Sequence, residues 1–444
     1  MNKECLMTSL HRTCPTQVLN RRTFLRVGSA GIAGLSLAAA LRQMHASETG
    51  RTSTPAPAKN VILLFLTGGP ATIDMWDMKP DAPEGIRGEF KPRETSVAGV
   101  QICEHMPALA ATMHRVTLVR SLTHTIAEHT QGATYVMTGN RPNPAVDYPS
   151  LGSLAARLLP TNSGMPPYAA IGAVPSAGAG DLGADLNPFQ ISSVEARRKE
   201  ERRSDRLGLP EGFTVSDLRR REQVLARLDE RMRRFEASEL PQQLDRFQAQ
   251  ALDILRSDKI NKALSIAALP PAEREPYGTS PLGESLLAAR RLIEAGARFV
   301  AVGFGDWDTH GNNFVRLRTT LLPELDRGLA ALLTDLDQRG LLAETVVYCT
   351  GEFGRTPAVN SASGRDHWAR SMTALLAGGG FRPSVYGATD LNGHEPSDEP
   401  CSPDDVSASI FHQLGFSPGH SVNTRQSRPV SIFRDGRILS GIVT

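Results

Sequence analysis

The stretch NVILLFL at residues 60–66 decides the fold, because it is a short, uninterrupted apolar run that ends abruptly in TGGP at residues 67–70. Such a run is typical of a strand that is buried on both faces of a sheet. Similar runs follow along the chain, and helical patterns at residues 282–295 and 314–339 each precede one of them. We therefore predict an α/β fold with a mostly parallel central sheet and helices on both faces. The other predicted strands are Val116–Arg120, Tyr168–Ile171, Phe299–Val302, Thr345–Cys349 and Met372–Leu376.

The residues before this strand have the pattern of an export signal. NRRTFLR at residues 20–26 precedes a run of 14 uncharged residues, rich in Gly and Ala, at residues 27–40. Because about 20 apolar residues are needed to cross the hydrocarbon of a bilayer, this run favours a twin-arginine signal over a permanent membrane anchor. We predict a signal at 1–46, a linker at 47–59 and an α/β domain at 60–444. The expected location is periplasmic or extracellular, with membrane contact only through export.

The charge of the mature chain excludes one class of partner. The first 46 residues contain six basic residues and one acidic residue, which leaves 43 Lys and Arg against 46 Asp and Glu. A mildly acidic domain gives no global electrostatic reason to bind nucleic acid. Residues 192–275 are dense in charge, with apolar residues such as Leu225, Leu228 and Met232 at helical spacing. That segment is predicted to be a helical insertion in the domain, with its charged runs on solvated faces.

Only three cysteines remain once the signal is set aside, so the chain has no disulfide framework. Cys349 lies inside an apolar run and is interpreted as a core residue. The sequence leaves open whether Cys103 and Cys401 form a disulfide.

Polar side chains follow several of the predicted strands, at the end of an open sheet where ligands bind. The segment DWDTHGNN (306–313) follows one strand, GEFGRTP (351–357) follows another, and GRDHW (364–368) comes shortly before a third. Any one Asp or His here is equally typical of a turn or a helix cap. Together, however, these carboxylates and imidazoles suit zinc, manganese or iron better than calcium. We predict a divalent metal site, with zinc or manganese favoured, formed by Asp308, His310, Glu352 and His367.

These motifs, with LTGGP at 66–70, resemble the alkaline phosphatase and sulfatase superfamily. More closely, they resemble the domain-of-unknown-function 1501 family of exported bacterial proteins. The resemblance implies that Asp308, His310 and His367 hold a first metal. For a second metal the superfamily uses an Asp at the end of the first strand and a later Asp-His pair. Here Thr67 and Glu352-Phe353 occupy those positions, and Asp74 or Asp77 is the candidate substitute.

The nucleophile also departs from the superfamily pattern. MTGNRP at 137–142 resembles the end of the sulfatase nucleophile helix, and the position of the reactive Cys or Ser is here His129, followed by Thr130. Either Thr130 attacks, with His129 as ligand or base, or water held by the metal attacks directly. His124 is a further candidate for the site or an ordinary loop histidine. Arg355 and Arg365 are interpreted as anion clamps or as ion-pair partners of Glu352 or Asp366.

The function that these inferences predict is an exported, metal-dependent hydrolase of sulfate or phosphate esters. Its substrate would be an anionic small molecule or a polysaccharide ester. The sequence specifies neither the substrate nor the oligomeric state. The alternative is a catalytically degenerate binding or scaffold protein of the cell envelope with the same fold. A phosphomutase-type transferase is a third reading, which requires a clear Ser or Thr nucleophile.

Overall fold

A computed structural model describes residues 56–159, 161, 164–192, 259–433 and 435–444. Its central sheet contains eight strands. Across the sheet, the strand order is β8-β2-β7-β6-β1-β5-β3-β4, where the labels follow the chain. The strands are β1 Asn60–Leu66, β2 Val116–Leu122, β3 Tyr168–Ile171, β4 Phe189–Ile191, β5 Phe299–Phe304, β6 Thr345–Thr350, β7 Met372–Ala377 and β8 Ser384–Tyr386. Only β7 runs against the other seven, so the predicted mostly parallel sheet is confirmed.

Both faces of the sheet are covered, and β1 shows why its sequence is apolar throughout. All seven of its residues are buried. Ile62, Leu64 and Leu66 belong to one hydrophobic core, whereas Val61, Leu63 and Phe65 belong to a second core on the opposite face, because side chains alternate along a strand. The α-helices are α1 Glu84–Arg87, α2 Pro107–Thr112, α3 His129–Thr138, α4 Leu151–Leu158, α5 Lys259–Leu264, α6 Pro271–Arg274, α7 Pro281–Ala295, α8 Asn313–Arg316, α9 Leu322–Gln338 and α10 Pro403–Gln413.

Different helices supply the two cores. Helices α2, α7 and α9 contribute leucines to the core that contains Ile62. Helices α3, α4 and α10 contribute to the core that contains Val61. Helices therefore lie on both faces, as predicted.

The helix predicted at 314–339 is interrupted near its start. Residues Leu317–Leu321 form a π-helical turn between α8 and α9. Pro323 lies in the first turn of α9, and its nitrogen cannot donate a hydrogen bond to the preceding turn. The break is the expected response of a helix that has to accommodate that missing donor.

The reversed direction of β7 positions the polar loops. The carboxyl ends of β1, β5 and β6 lie at one edge of the sheet, and an antiparallel strand begins at that same edge. The segment that precedes β7 contains the strand His367–Trp368, which pairs with Gly354–Arg355 from the loop after β6. The loop after β1, the loop after β5 and the connection between β6 and β7 therefore meet at one place.

Several sequence predictions fall outside the described residues. The signal at 1–46, most of the linker at 47–59 and residues 193–258 of the insertion are among them. The described end of the insertion contains α5 and α6. No helix in the described part of the chain is long and apolar enough to cross a membrane.

The three cysteines of the domain are free and buried. Cys103 belongs to the core on one face of the sheet and Cys401 to the core on the other. The sheet therefore separates them, and the pairing that the sequence left open is absent. Burial raises the pKa of each of these two thiols to about 12, so both remain protonated.

Candidate metal centre

Three side chains from the loops at the sheet edge converge on one point. Asp308 and His310 lie in the loop after β5, and His367 lies in the short strand before β7. Asp308 Oδ1 is 3.1 Å from His310 Nε2 and 3.2 Å from His367 Nε2. The two imidazole Nε2 atoms are 3.0 Å apart. We call Asp308, His310 and His367 the Asp308 cluster.

The outer nitrogens of both histidines fix the tautomers. His310 Nδ1 is 2.6 Å from Asp366 Oδ1, and His367 Nδ1 is 3.0 Å from the Ala127 carbonyl oxygen. A carboxylate and a carbonyl can only accept, so each Nδ1 carries the hydrogen. In the neutral rings, each Nε2 therefore presents a lone pair to the centre of the cluster.

Three electron-pair donors in mutual contact form a binding site for a cation. A zinc ion with bonds of about 2.0–2.1 Å places tetrahedral ligands about 3.3 Å apart, close to the separations in the cluster. Metal-ligating histidines also donate their second N–H to a carboxylate or a carbonyl, as both histidines do here. The donor set therefore fits a divalent metal ion of the zinc or manganese type.

Arg355 already supplies one positive charge to the cluster, by a hydrogen bond from Nη2 to Asp308 Oδ1. Burial raises the pKa of Asp308, but the hydrogen bond and charge of Arg355, together with the two histidines, outweigh burial and lower it to about 2. Asp308 is therefore ionised at any pH where the protein is expected to work. Arg355 is itself buried and also donates to the carbonyls of Gly69 and Arg365 at 2.7 and 3.0 Å. These contacts do not support its predicted role as an anion clamp.

His129 faces the cluster from the first turn of α3. Its Nε2 is 3.6 Å from Asp308 Oδ2, and one ligand atom each from His129, Asp308 and His367 lie within 4.8 Å of one another. On its other side, His129 Nδ1 is 2.7 Å from Glu352 Oε1, which also accepts from the Gly68 backbone N–H at 2.8 Å. Glu352 was predicted to be a metal ligand, but in the structure it lies behind His129 and orients it. We call these two residues the His129–Glu352 pair.

The second oxygen of Glu352 has no partner. Glu352 is 1% exposed, and its Oε2 is buried without a hydrogen-bond partner among the described residues. A buried carboxylate that is only half satisfied favours positive charge nearby. The imidazole of His129 contacts the other oxygen, Oε1.

Thr130 follows His129 but points elsewhere. The Glu128 carboxylate caps α3 by accepting hydrogen bonds from the N–H groups of Thr130 and Gln131, both at 2.9 Å. These two hydrogen bonds lower the pKa of Glu128. The first amides of the helix, which an anionic ligand would need, are thus already occupied by Glu128. No contact links Thr130 to the Asp308 cluster within the described part of the chain, so its predicted role as nucleophile has no support.

Asp74 and Arg365 form a buried ion pair with each other. Arg365 Nε and Nη2 donate to the two oxygens of Asp74, each at 2.7 Å, and Asn313 Nδ2 donates to Asp74 Oδ2 at 2.8 Å. The side chains are 1% and 0% exposed. With both oxygens engaged, Asp74 does not join the Asp308 cluster, and Arg365 is not available as an anion clamp.

Two other candidates have structural contacts. His124 Nδ1 accepts from the Ile126 N–H at 3.2 Å, and its Nε2 donates to the Glu352 carbonyl at 2.9 Å. Burial lowers the pKa of His124 to about 4. It is therefore a neutral, satisfied loop histidine. Asp77, the other proposed substitute ligand, lies 3.1 Å from Lys79 Nζ.

Comparison with known proteins places the chain in a family. The sequence profile described as "Protein of unknown function (DUF1501)" matches residues 58–443. The chain belongs to the DUF1501 family. No curated protein sequence matches it.

Solved structures that resemble this DUF1501 chain are distant. They include the PsFucS1 sulfatase from Pseudoalteromonas sp., at 11% identity and a TM-score of 0.39 over 93% of this chain and 74% of that one. Alkaline phosphatase from the Antarctic bacterium TAB5 has 14% identity and a TM-score of 0.34 over 80% and 97% of the two chains. The lipoteichoic acid synthase LtaP from Listeria monocytogenes has 8% identity and a TM-score of 0.34 over 82% and 73%.

Phe353 forms an apolar floor under the DUF1501 site. Its ring centroid lies 4.5 Å from that of His367 and 5.1 Å from that of His129. A phenyl ring offers no ligand atom for a metal ion.

Sequence reasoning missed the part played by Asp366. Its carboxylate orients His310, and the hydrogen bond with His310 lowers the pKa of Asp366. Asn360 Nδ2 also donates to Asp366 Oδ1, at 3.2 Å. The signal was its position beside His367 in GRDHW, since orienting carboxylates are common partners of metal-ligating histidines.

Proposed function

We propose that this DUF1501 protein is a metal-dependent hydrolase of phosphate or sulfate esters. The observation that carries the proposal is the convergence of Asp308 Oδ1, His310 Nε2 and His367 Nε2 within 3.2 Å of one another. Their outer hydrogen bonds are already satisfied, so the three atoms form a donor set for one cation. The test is direct: protein purified without chelators should contain about one equivalent of metal and should hydrolyse aryl phosphates or aryl sulfates.

Asp308, His310 and His367 would hold this metal, zinc or manganese by the chemistry of the donors. When bound, the metal supplies Lewis-acid stabilisation of negative charge on the ester oxygens. An anionic ester is the matching substrate class, because a bound divalent cation would attract and stabilise negative charge.

The His129–Glu352 pair supplies proton transfer. Glu352 holds the hydrogen on His129 Nδ1, so that the lone pair of Nε2 faces the cluster and accepts a proton from the attacking water. The resulting imidazolium is stabilised by the buried Glu352 carboxylate, whose Oε2 is otherwise unpartnered. Phe353 excludes water from the inner side of His129 and His367.

His129→Gln should separate proton transfer from metal binding. We expect turnover to fall by about 10²–10⁴-fold, the usual contribution of a general base, with no change in metal content. Steady-state kinetics and elemental analysis of the same preparation measure the two quantities. Thr130→Val is the control and should retain turnover within about twofold. Loss of turnover in Thr130→Val, with normal turnover in His129→Gln, would contradict this assignment.

A second candidate function is supported by one contact. Arg355 donates to Asp308 Oδ1, the oxygen that the histidines also approach. A guanidinium in this position partly neutralises the cluster without any metal, as expected for a degenerate binding or scaffold protein. Purified protein that contains no metal, takes up none and hydrolyses neither ester class would favour this second function.

We also propose that the protein is exported to the periplasm or beyond by the twin-arginine route, on the basis of NRRTFLR at residues 20–26. Replacing Arg21 and Arg22 together by Lys should retain the chain in the cytoplasm. Fractionation of cells that express each form, with immunodetection, measures this. Equal export of both forms would overturn the proposal.

A further inference from the structure

A cavity lies beside the metal centre, and none of the residues of that centre line it. Its volume is about 460 Å³, within the range of ~300–1,000 Å³ that small-molecule sites occupy. Its lining includes Thr123, Thr125, Arg141, Arg370 and Glu395. The lining is thus rich in hydroxyl groups and charges, which suits a polar ligand.

One positive charge in this cavity has no counter-charge among the residues that the structure describes. Arg370 Nη2 is 2.6 Å from Glu395 Oε2, so these two lining residues neutralise each other. Asp405, which also lines the cavity, pairs with Arg437 at 3.3 Å. Among the described residues, by contrast, no carboxylate lies within 4 Å of Arg141. Arg141 is exposed, and it contacts Thr125 Oγ1 at 3.5 Å and the Tyr135 side chain, through the ring, whose centroid is 5.5 Å away, and through a hydrogen bond to the phenol.

We propose that this cavity binds a sugar-sized polar molecule with one anionic group, and that Arg141 is the partner of that group. A guanidinium without a counter-ion offers a two-pronged donor that fits two oxygens of a sulfate, phosphate or carboxylate. The hydroxyls of Thr123 and Thr125 are suited to the hydroxyl groups of the same ligand. This site goes beyond the proposed hydrolysis and does not depend on it.

The cavity shares its wall with the metal centre. His124 lines the cavity, and its ring Nε2 donates to the Glu352 carbonyl. The backbone N–H of His124 donates to the Ala369 carbonyl at 2.9 Å. Three residues further along the chain, the Ala127 carbonyl accepts from His367. A ligand in the cavity would therefore lie next to the segment that orients His367, without touching the Asp308 cluster.

Calorimetric titration of chelator-treated protein with glucose 6-sulfate, glucose 6-phosphate, glucuronate and glucose tests the proposal. At least one of the three anionic probes should bind at least tenfold more tightly than neutral glucose. Arg141→Met should weaken that binding at least tenfold, and Arg141→Glu should abolish it. Arg428→Met, which changes an exposed arginine outside the cavity, is the matched control and should bind as the wild type does.

Two results would overturn the proposal: no anionic probe binds the wild type, or Arg141→Met binds the anions as tightly as before. Circular dichroism of each variant confirms that it is folded. His367→Ala should keep the anion affinity of the wild type. A protein that does not hydrolyse esters would therefore not contradict the anion site. A protein that does not bind the anionic probes would not contradict the proposed hydrolase.

Discussion

Replacing His310 by Ala is expected to remove metal binding and, with it, ester hydrolysis. His310 supplies one of three atoms that surround the proposed ion, and its side chain is 45% exposed. The substitution therefore removes little buried volume. Loss of a residue that only hydrogen-bonds to a metal ligand costs about 10–100-fold in metal affinity. Loss of the ligand itself should therefore cost more than about 100-fold. Competition with a chromogenic chelator measures the affinity, and elemental analysis measures the content.

Two variants calibrate this result. Asp366→Asn keeps the size of the side chain but weakens the acceptor that orients His310, so we expect a loss of about 10–100-fold in metal affinity. His394→Ala removes a histidine of similar exposure outside the cluster. The metal affinity of this variant should equal that of the wild type. If His310→Ala holds the metal as tightly as the wild type, the Asp308 cluster is not the metal centre.

The largest loss of stability is expected for Asp74→Ala. Arg365 is fully buried, and this substitution leaves its charge without a partner. Breaking a buried ion pair on one side costs about 3–5 kcal/mol. Arg365 also donates to the carbonyls of Thr356 and Ile86 at 3.1 and 2.8 Å, so it cannot simply turn out to solvent. Urea denaturation followed by circular dichroism measures the free energy of unfolding.

The double variant Asp74→Leu with Arg365→Met separates charge from packing. Because it removes both charges and retains apolar volume, it should be more stable than Asp74→Ala. Asp81→Ala, at an exposed position of the same segment, should have the same free energy of unfolding as the wild type. A free energy of unfolding for Asp74→Ala equal to that of the wild type would show that the ion pair does not stabilise the fold.

Much of the sheet could be predicted because its strands are buried on both faces. The prediction for Tyr168–Ile171 agrees with the structure at both ends. The strand at Phe299 continues two residues further than predicted, through Gly303 and Phe304, since backbone pairing with β1 extends beyond the apolar run. The direction of β7 could not be predicted, because a strand with two buried faces has the same pattern in either orientation.

The site could be predicted only where residue types in one loop define the chemistry. Asp308, His310 and His367 follow from such motifs, and the structure brings them together. Asp74 pairs with a residue 291 positions away, and no local pattern indicates such a pairing. Glu352 was identified as important, but its part in holding His129 depends on how two distant loops meet.

The three proposed ligands of the ion come from positions 308, 310 and 367, and the carboxyl ends of the strands bring them together. A chain still being synthesised therefore cannot hold an ion before the segment at 367 has left the ribosome and the strands have associated. Ion capture would be a late step of biogenesis. Occupancy would then mark finished molecules, and prematurely terminated copies would stay empty.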